Sequence, residues 1–307
     1  IDFFKERRED ILTNPKRYVL AAGAVGLPPY NFGIVENKGF EMELGWNSTI
    51  GKVNYYLKGI YAFNRNKVIE KSEAAKPYPY MYEAGLPIKQ FIGYQYDGFF
   101  SSYDEIASSP QQFGLTNLKP GDIKYKDING DGIVDENDQA PIGYSTVPEM
   151  TYSLQLGASY KGFDVSVMFQ GAARSSVYLY QDLGWDNMTG NYYEEHINRW
   201  TPETAATATY PRFLQGSKES HQNYYLSDFW LKDGKYLRLK NVMISYTFDK
   251  KMLRKTPFSS LKIFASGFNL ITWDKLKKVD PEVAPSSNTG YFYPQQRQYN
   301  MGINVSF

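Results

Sequence analysis

Polar and apolar residues alternate with a period of two over much of the chain. Phe40, Met42, Leu44 and Trp46 alternate with Glu41, Glu43 and Gly45. After a turn at Asn47–Gly51 the pattern resumes at Val53, Tyr55, Leu57, Gly59, Tyr61 and Phe63. A third row is Met150, Tyr152, Leu154, Leu156, Ala158 and Tyr160, set against Thr151, Ser153, Gln155, Gly157 and Ser159. Lys161-Gly162 then reads as a tight hairpin turn into Phe163, Val165, Val167 and Phe169. Tyr236–Phe248 and Leu261–Ile271 are two noisier runs. The last run, Tyr299, Met301, Ile303, Val305 and Phe307 against Asn300, Gly302, Asn304 and Ser306, is the cleanest. A period of two puts successive side chains on opposite faces, so these are two-faced strands.

The runs reach about nine to fourteen residues, against five or six for an average strand. A strand that crosses a bilayer needs about nine to eleven, one face on lipid and the other on a wet lumen. The links also alternate in length. Asn47–Lys52 and Lys161-Gly162 are short and Asp249–Ser260 is moderate, whereas Asn64–Glu149, Ala172–Asp233 and Thr272–Gln295 are long. Short periplasmic turns and long extracellular loops are the rule in outer-membrane barrels. The expected fold is therefore all-β, an antiparallel transmembrane β-barrel with long extracellular loops, to which this chain gives about eight strands. An eight-stranded barrel is possible, but the mid-strand start favours the closing part of a larger one. A large soluble β-sandwich also alternates and stays an alternative. Ile1-Asp2-Phe3-Phe4 reads as the end of a strand already under way and Ile11–Pro29 as a loop, so the chain is expected to be a segment of something longer. Trp46, Tyr160, Phe163, Phe248, Trp273 and Tyr299 lie near strand ends, where a barrel carries its aromatic girdles.

Composition narrows the function classes. The 307 residues hold 34 Lys plus Arg and 33 Asp plus Glu, a net charge of +1, so nothing electrostatic favours a nucleic-acid partner. No apolar run reaches the roughly 18 residues of a membrane helix. Aromatic residues make up 17% of the chain, 27 of them Tyr, which argues against disorder. There is no Cys and only His196 and His221, which leaves thiol chemistry out and supplies zinc or Ser-His chemistry poorly.

The sharpest motif is DINGDGIVDEND at 127–138. Asp127, Asn129 and Asp131 stand at loop positions one, three and five, with Gly132 at the sharp turn. Ile133 would offer a backbone carbonyl, and Asp135 and Asp138 complete the oxygen set. Hard oxygen donors at this spacing suit calcium, here in a structural role bracing a long loop. Two features depart from an EF-hand: position twelve is Asp rather than Glu, and the preceding Ile123–Lys126 reads as strand. An Asp/Gly-rich turn without an ion is the alternative.

Weaker candidates sit further on. Asp182, Trp185, Asp186 and Asn187, with Tyr178, Tyr180, Tyr192 and Tyr193, combine aromatic faces with carboxylates and amides, as sugar or peptide sites do; an ordinary packed loop explains them equally. Glu194-Glu195 are adjacent and badly placed for a glycosidase pair. His196 reads as a hydrogen-bonding loop residue. Pro77–Pro79 and Pro281–Pro285 read as rigid loop elements.

Several stretches in order then carry a resemblance. They are GYQYDGFF at 93–100, GDIKYKDINGDGIVDENDQAPIG at 121–143, RWTPET at 199–204, DGKYLRLKNVMISYTF at 233–248 and SGFNLITWDKLKKVDPEV at 266–283, closed by YNMGINVSF. The chain resembles, over essentially its whole length, the C-terminal part of the SusC/RagA-like TonB-dependent transporters of Bacteroidetes outer membranes. The resemblance implies a barrel of about 22 strands whose N-terminal plug is absent from these residues. It implies a SusD-like surface lipoprotein as lid, energy from TonB–ExbB–ExbD through that plug, and an oligosaccharide or oligopeptide as cargo. It implies a transporter and not an enzyme. Two alternatives stand beside it: a barrel of this family acting as a scaffold in a surface export or outer-membrane assembly complex, and a secreted calcium-dependent glycan-binding β-protein.

Overall fold

The computed structural model describes residues 1–14, 28–180, 184–186, 192–214, 221–276, 279–282 and 295–307. The chain spends its longest alternating runs on one antiparallel sheet of eight strands. These are β1 (Asp2–Thr13), β2 (Tyr30–Ile50), β3 (Val53–Glu70), β4 (Met150–Tyr160), β5 (Phe163–Ala173), β6 (Tyr236–Thr247), β7 (Ser260–Asp274) and β8 (Gln298–Ser306). Each strand pairs with its neighbour in sequence, so the sheet is a plain up-and-down meander. This is the wall of an antiparallel transmembrane β-barrel. Among the described residues β1 and β8 each keep one unpaired edge.

Two of the turns are tight, Lys161-Gly162 as expected and the first tighter than the Asn47–Lys52 link, because Asn47–Ile50 stay in β2. Ile50 pairs with Val53 across Gly51-Lys52, and Tyr160 with Phe163 across Lys161-Gly162. Lys161 and Gly162 both adopt positive φ, 46° and 87°, as a two-residue type I′ hairpin demands. The third link at this end, between β6 and β7, carries a short helix at Lys250–Leu253. All the long connections lie at the other end. The first strands differ from expectation in extent: β1 continues to Thr13, and β2 and β3 run for 21 and 18 residues. At about 3.3 Å per residue, β2 is more than twice as long as an apolar band of about 25 Å needs. The surplus projects from the long-loop end, where Lys5 pairs with Glu36 at 3.0 Å.

Register carries each alternation across the sheet. Trp46 stands beside Leu57, Leu57 beside Leu156, Leu156 beside Val167, and Val167 beside Val242. This row is apolar and exposed in part, as are Leu44, Leu154, Ile244, Ile263 and Ile303, which is what a lipid face requires. The opposite face carries Asn47, Tyr56, Gln155, Ser166 and Met243, a mixed polar surface for the lumen. The noisy alternation of β6 and β7 has a local cause. Leu239 pairs with Ile271 but Asn241 pairs with Phe268, so Lys240 bulges opposite Asn269-Leu270. Asn269 takes φ 52° there; the extra residue moves the apolar row of β6 from Leu239 to Val242, while Ile271 and Ile263 of β7 stay in phase.

Glycines in the wall make room for aromatic rings. A Cβ on Gly157 would stand 2.1 Å from the Tyr56 ring, one on Gly302 2.4 Å from Phe264, and one on Gly171 2.4 Å from Tyr152. Each is a directly paired cross-strand neighbour, so the ring covers the bare backbone and the glycine accepts it. Exposed aromatics mark both rims of the apolar band: Trp46, Tyr160 and Phe163 at the short-turn end, Trp273 and Tyr299 at the long-loop end. The well-buried core lies elsewhere, among the long connections.

Candidate functional site

The connections β3–β4 and β5–β6 fold together over the long-loop end. Short ladders brace each from within: Phe91–Gly93 with Ala140–Ile142 and Tyr96–Phe99 with Ile123–Tyr125 in the first, Ser176–Tyr178 with Leu231–Asp233 in the second. A bridge between Tyr94 and Ser227 and a bond from Arg212 N–H to the Gly121 carbonyl at 2.9 Å join the two. Their interior is aromatic. Tyr94, Tyr125, Trp185, Tyr210, Tyr224 and Trp230 are buried with Ile123 and Val134, and Phe99, Phe113, Phe213 and Phe229 pack against them. Ring pairs such as Tyr94–Phe113 at 5.0 Å and Phe229–Trp230 at 4.8 Å meet edge to face, the arrangement the ring quadrupole favours. The Tyr excess therefore serves a packed loop core more than an exposed aromatic surface.

An open ladder edge inside such a core must be satisfied, and buried amides do it. Gln112 exchanges two bonds with Tyr125, its Nε2 donating to the carbonyl at 3.1 Å and its Oε1 accepting from the N–H at 3.3 Å. Asn223 Oδ1 accepts from Ile123 N–H at 2.8 Å, and Gln222 Nε2 donates to the Ile123 carbonyl at 2.7 Å. All three amides are fully buried. The Tyr125 hydroxyl donates to the Gln222 carbonyl at 2.7 Å, and burial holds its pKa far above the ordinary phenol value.

Two charge centres lock this core. Asp122, fully buried, forms an ion pair with Arg212, its carboxylate 2.7 Å from Nε, and accepts from Arg212 Nη2 at 3.1 Å, from Asn223 Nδ2 at 2.9 Å and from Lys119 N–H at 2.8 Å. His221 lies close by; burial, with Arg212, pushes its pKa down against the opposing pull of Asp122. Asp186 is the second centre. Tyr224 donates to its carboxylate, Tyr210 lies 3.3 Å from the same oxygen, and burial pushes both phenol pKa values up, keeping them donors.

A third centre joins the β7–β8 connection to the lumen wall. Arg238 of β6 is 1% exposed and faces the lumen. Its Nη2 donates to both carboxylate oxygens of Asp280, at 2.7 and 2.8 Å. Its Nη1 donates to Glu282 at 2.9 Å and Gln295 at 3.1 Å, and its Nε to Thr272 at 3.0 Å. Lys240, the bulge residue, adds a contact to Glu282 at 2.8 Å. The bulge thus turns a cation inward at the mouth of the wall. Periodicity offered no signal for this clamp; Arg238 and Asp280-Pro281-Glu282 stood only inside the stretches that carry the family resemblance.

The calcium-type loop folds as a chain of carboxylate-to-backbone bonds. Asp127 accepts from Gly130 and Gly132 N–H at 2.7 and 2.8 Å, Asp131 from Ile133 N–H at 2.9 Å, and Asp135 from Asn137 N–H at 2.7 Å. Asn129 Oδ1 accepts from Asp131 N–H at 3.0 Å. Asp138, fully buried, accepts from Ile128 and Asp135 N–H at 2.6 and 2.9 Å. Gly130 and Gly132 take φ of 76° and 86°, so the sharp turn expected at Gly132 is present. Ile123–Tyr125 is the strand read before it. The donors are hard oxygens at the right spacing, and a carboxylate with one amide bond keeps acceptor capacity. In this geometry, no group of three or more Asp, Glu or His side chains among the described residues converges on a metal position.

The weaker candidates resolve into packing. Trp185 and Asp186 are buried, and Tyr180 packs on Trp185 at 4.9 Å, so they belong to the loop core rather than to an exposed ligand surface. Asp182, Asn187 and Pro285 lie outside the described residues. His196 is buried against Tyr210, with Nδ1 accepting from Tyr193 N–H at 3.1 Å, a hydrogen-bonding residue as expected. Glu194 and Glu195 begin a short 3-10 turn, side by side in sequence, and Tyr192 is exposed. Two concave surfaces carry polar groups. A cleft of about 670 Å³ runs between Tyr94, Phe113, Tyr225, Asp135 and Glu136 beside the calcium-type loop. A hollow of about 710 Å³ on the lumen face is lined by Asn47, Asn54, Gln155, Asp164, Asn241 and Lys262.

Two-faced wall, tight turns at one end and packed loops at the other together define a section of a transmembrane β-barrel. Comparison with known proteins agrees. Over 90% of its length the chain is 27% identical to TonB-dependent receptor P26 of Formosa agariphila, covering 30% of that protein. Over 98% it is 23% identical to TonB-dependent receptor SusC of Bacteroides thetaiotaomicron, covering 29%. In three dimensions 99% of the chain matches 32% of a chain of the RagAB peptide importer in its open-open state, with a TM-score of 0.72 at 18% identity. No protein-family model matches. The resemblance to the SusC/RagA-like TonB-dependent transporters thus holds in sequence and in fold. The chain spans about a third of the length of these relatives. They are named receptors and an importer, not enzymes.

Proposed function

We propose that these residues are the C-terminal strands of an outer-membrane import barrel of the SusC type. The plug and the TonB-contacting segment then belong to other parts of the protein. The observation that carries this reading is the eight-strand wall with an exposed apolar face, matched over 99% of the chain to an importer fold. The unpaired edges of β1 and β8 support further strands, since a barrel leaves no edge in lipid. The long-loop end faces outward, and a SusD-like lipoprotein closes over it. An oligosaccharide or oligopeptide is held between loops and lid, and TonB–ExbB–ExbD, acting on the plug, opens the path along the lumen face. The rigid aromatic loop core suits such a docking role, because bound partners lose less entropy on a preorganised surface.

Deletion of the whole gene tests this reading. Loss of growth on one glycan or peptide source, with co-purification of a surface lipoprotein, is the expected result. Normal uptake of every such source, with loss of a surface-export complex, contradicts import and favours the scaffold alternative.

We also propose that loop 127–138 takes a calcium ion, with Asp127, Asn129, Asp131, the Ile133 carbonyl, Asp135 and Asp138 as its donors. Spacing and donor chemistry support it. The ion would brace a connection whose ordering is otherwise entropically costly. Calorimetric titration of the full-length protein in detergent should show saturable calcium binding that Asp127→Asn with Asp131→Asn abolishes. No heat of binding, and unchanged loop proteolysis after chelation, contradict it.

A further inference from the structure

The short-turn end carries a charge pattern that import does not require. Its turns hold six cations, Lys52, Lys161, Lys250, Lys251, Arg254 and Lys255, and a single side-chain carboxylate, Asp249. All six are exposed. The chain as a whole is only +1, so the rest of it is net negative. At the opposite end several cations are paired, Lys124 with Glu105 at 2.8 Å, Arg212 with Asp122 at 2.7 Å and Arg238 with Asp280 at 2.7 Å, and acids are interspersed with the exposed Lys89, Lys119 and Lys126. Among the described residues the six make no such ion pair. Asp249, whose carboxylate caps the short helix by accepting from Lys251 N–H at 2.9 Å, offsets one of the six charges and leaves the cluster strongly positive. Asp164, the next acid along the wall, faces the lumen.

Apolar groups lie among the cations. Met252 is 60% exposed, while Leu253 beside it is buried and fixes the turn. Tyr246 donates to Met252 Sδ at 3.8 Å, and its ring lies 4.5 Å from Phe163 and 4.9 Å from Phe248. Phe258 meets Phe307 at 5.5 Å, and Lys161 lies over the Tyr160 ring at 5.2 Å. Aromatic rings, an exposed thioether and a layer of unpaired cations just beyond them repeat the layering of a bilayer interface: acyl boundary, glycerol region, anionic headgroups.

We propose that this turn cluster is a binding surface for anionic phospholipid headgroups of the adjacent leaflet. Charge complementarity selects this occupant, since clustered Lys and Arg near an anionic membrane each strengthen binding by up to about fivefold. The surface anchors the wall in the leaflet on the short-turn side and fixes its height in the bilayer. That leaflet is the periplasmic one on the orientation proposed above.

The test uses the full-length protein in a neutral detergent, offered equimolar phosphatidylglycerol and phosphatidylethanolamine, with retained lipid read by native mass spectrometry. The wild type should retain phosphatidylglycerol about tenfold over phosphatidylethanolamine, and that preference should fall as salt is raised. The folded quadruple variant Lys250→Gln, Lys251→Gln, Arg254→Gln, Lys255→Gln should retain both lipids nearly equally. If that variant fails to fold, the pair Lys52→Gln, Lys161→Gln should give a partial loss. Equal retention by the wild type, or an undiminished preference in a folded variant, overturns the proposal. So does capture of the lipid-free protein by peptidoglycan that depends on the same four cations without any lipid preference. Orientation is read separately: Thr256→Cys should react with an impermeant maleimide only after the outer membrane is opened. Labelling in intact cells overturns the orientation and leaves the lipid measurement standing.

Discussion

Arg238 shows how a single side chain can tie a loop to a barrel wall. Its guanidinium is desolvated and fully spent on Asp280, Glu282, Gln295 and Thr272. Arg238→Met leaves Asp280 without its cation and Glu282 with Lys240 alone, at a cost of about 3 kcal/mol, since breaking a buried pair costs more than the pair contributes. The expected outcome is a lower unfolding midpoint in detergent and faster proteolysis near residues 275–282; a double variant with Asp280→Leu should recover part of the loss. Glu105 offers a pH test. Hydrogen bonds from Lys124 and Ser101 hold its carboxyl at about 2, below its ordinary 4.5. A depressed carboxyl stabilises above its unfolded pKa and loses that stabilisation as pH falls through the folded one. The stability gap between wild type and Glu105→Gln should thus be full above pH 4.5 and close as pH approaches about 2. Thermal inactivation midpoints across that range check it, and a gap independent of pH contradicts it. At this scale the sequence was only partly legible. Spacing exposed Asp127–Asp138, because all the donors lie within one loop. The contacts of Asp122 with Arg212 and of Arg238 with Asp280 span 90 and 42 residues, and no local pattern announces them.

The strands were the most legible elements. Their alternation follows from the two faces of the wall, so Met150–Tyr160 and Phe163–Ala173 stand close to where periodicity puts them. Where it failed, backbone irregularity is the reason: the bulge at Lys240 shifts the phase of β6 relative to β7. The upper halves of β2 and β3 were missed because charged and amide residues, Glu36, Asn37 and Lys38 against Asn64, Arg65, Asn66 and Lys67, interrupt the apolar row there. Two substitutions read the facing directly. Ile303→Asp puts a charge on the lipid row and should cost up to about 3 kcal/mol of insertion, whereas Asn304→Asp on the lumen row should be nearly neutral. Equal outer-membrane levels of the two variants would contradict the assignment. Gly302→Val drives its Cβ to 2.4 Å from Phe264 and should destabilise the β7–β8 pair by about 1–3 kcal/mol. The fraction of protein that stays compact in unheated gel samples measures this.

For the whole molecule, hydropathy misleads. A mean of −0.51 and the lack of a long apolar helix among the described residues describe every second residue of a wall averaged with large polar loops. The aromatic excess divides between rims and loop core, the larger buried share being in the core, which places rigidity at the end proposed to meet ligand and lid. The central claim is that this chain is barrel wall with one row on lipid and the next on a wet lumen. The absence of native cysteine in these residues allows a spin label to be placed at each position of β4 in turn. In the full-length protein reconstituted in lipid, collisions with oxygen should peak at Tyr152, Leu154, Leu156 and Ala158. Collisions with a water-soluble nickel chelate should peak at Thr151, Ser153, Gln155 and Ser159. A profile without alternation, or one in the opposite phase, would contradict the account.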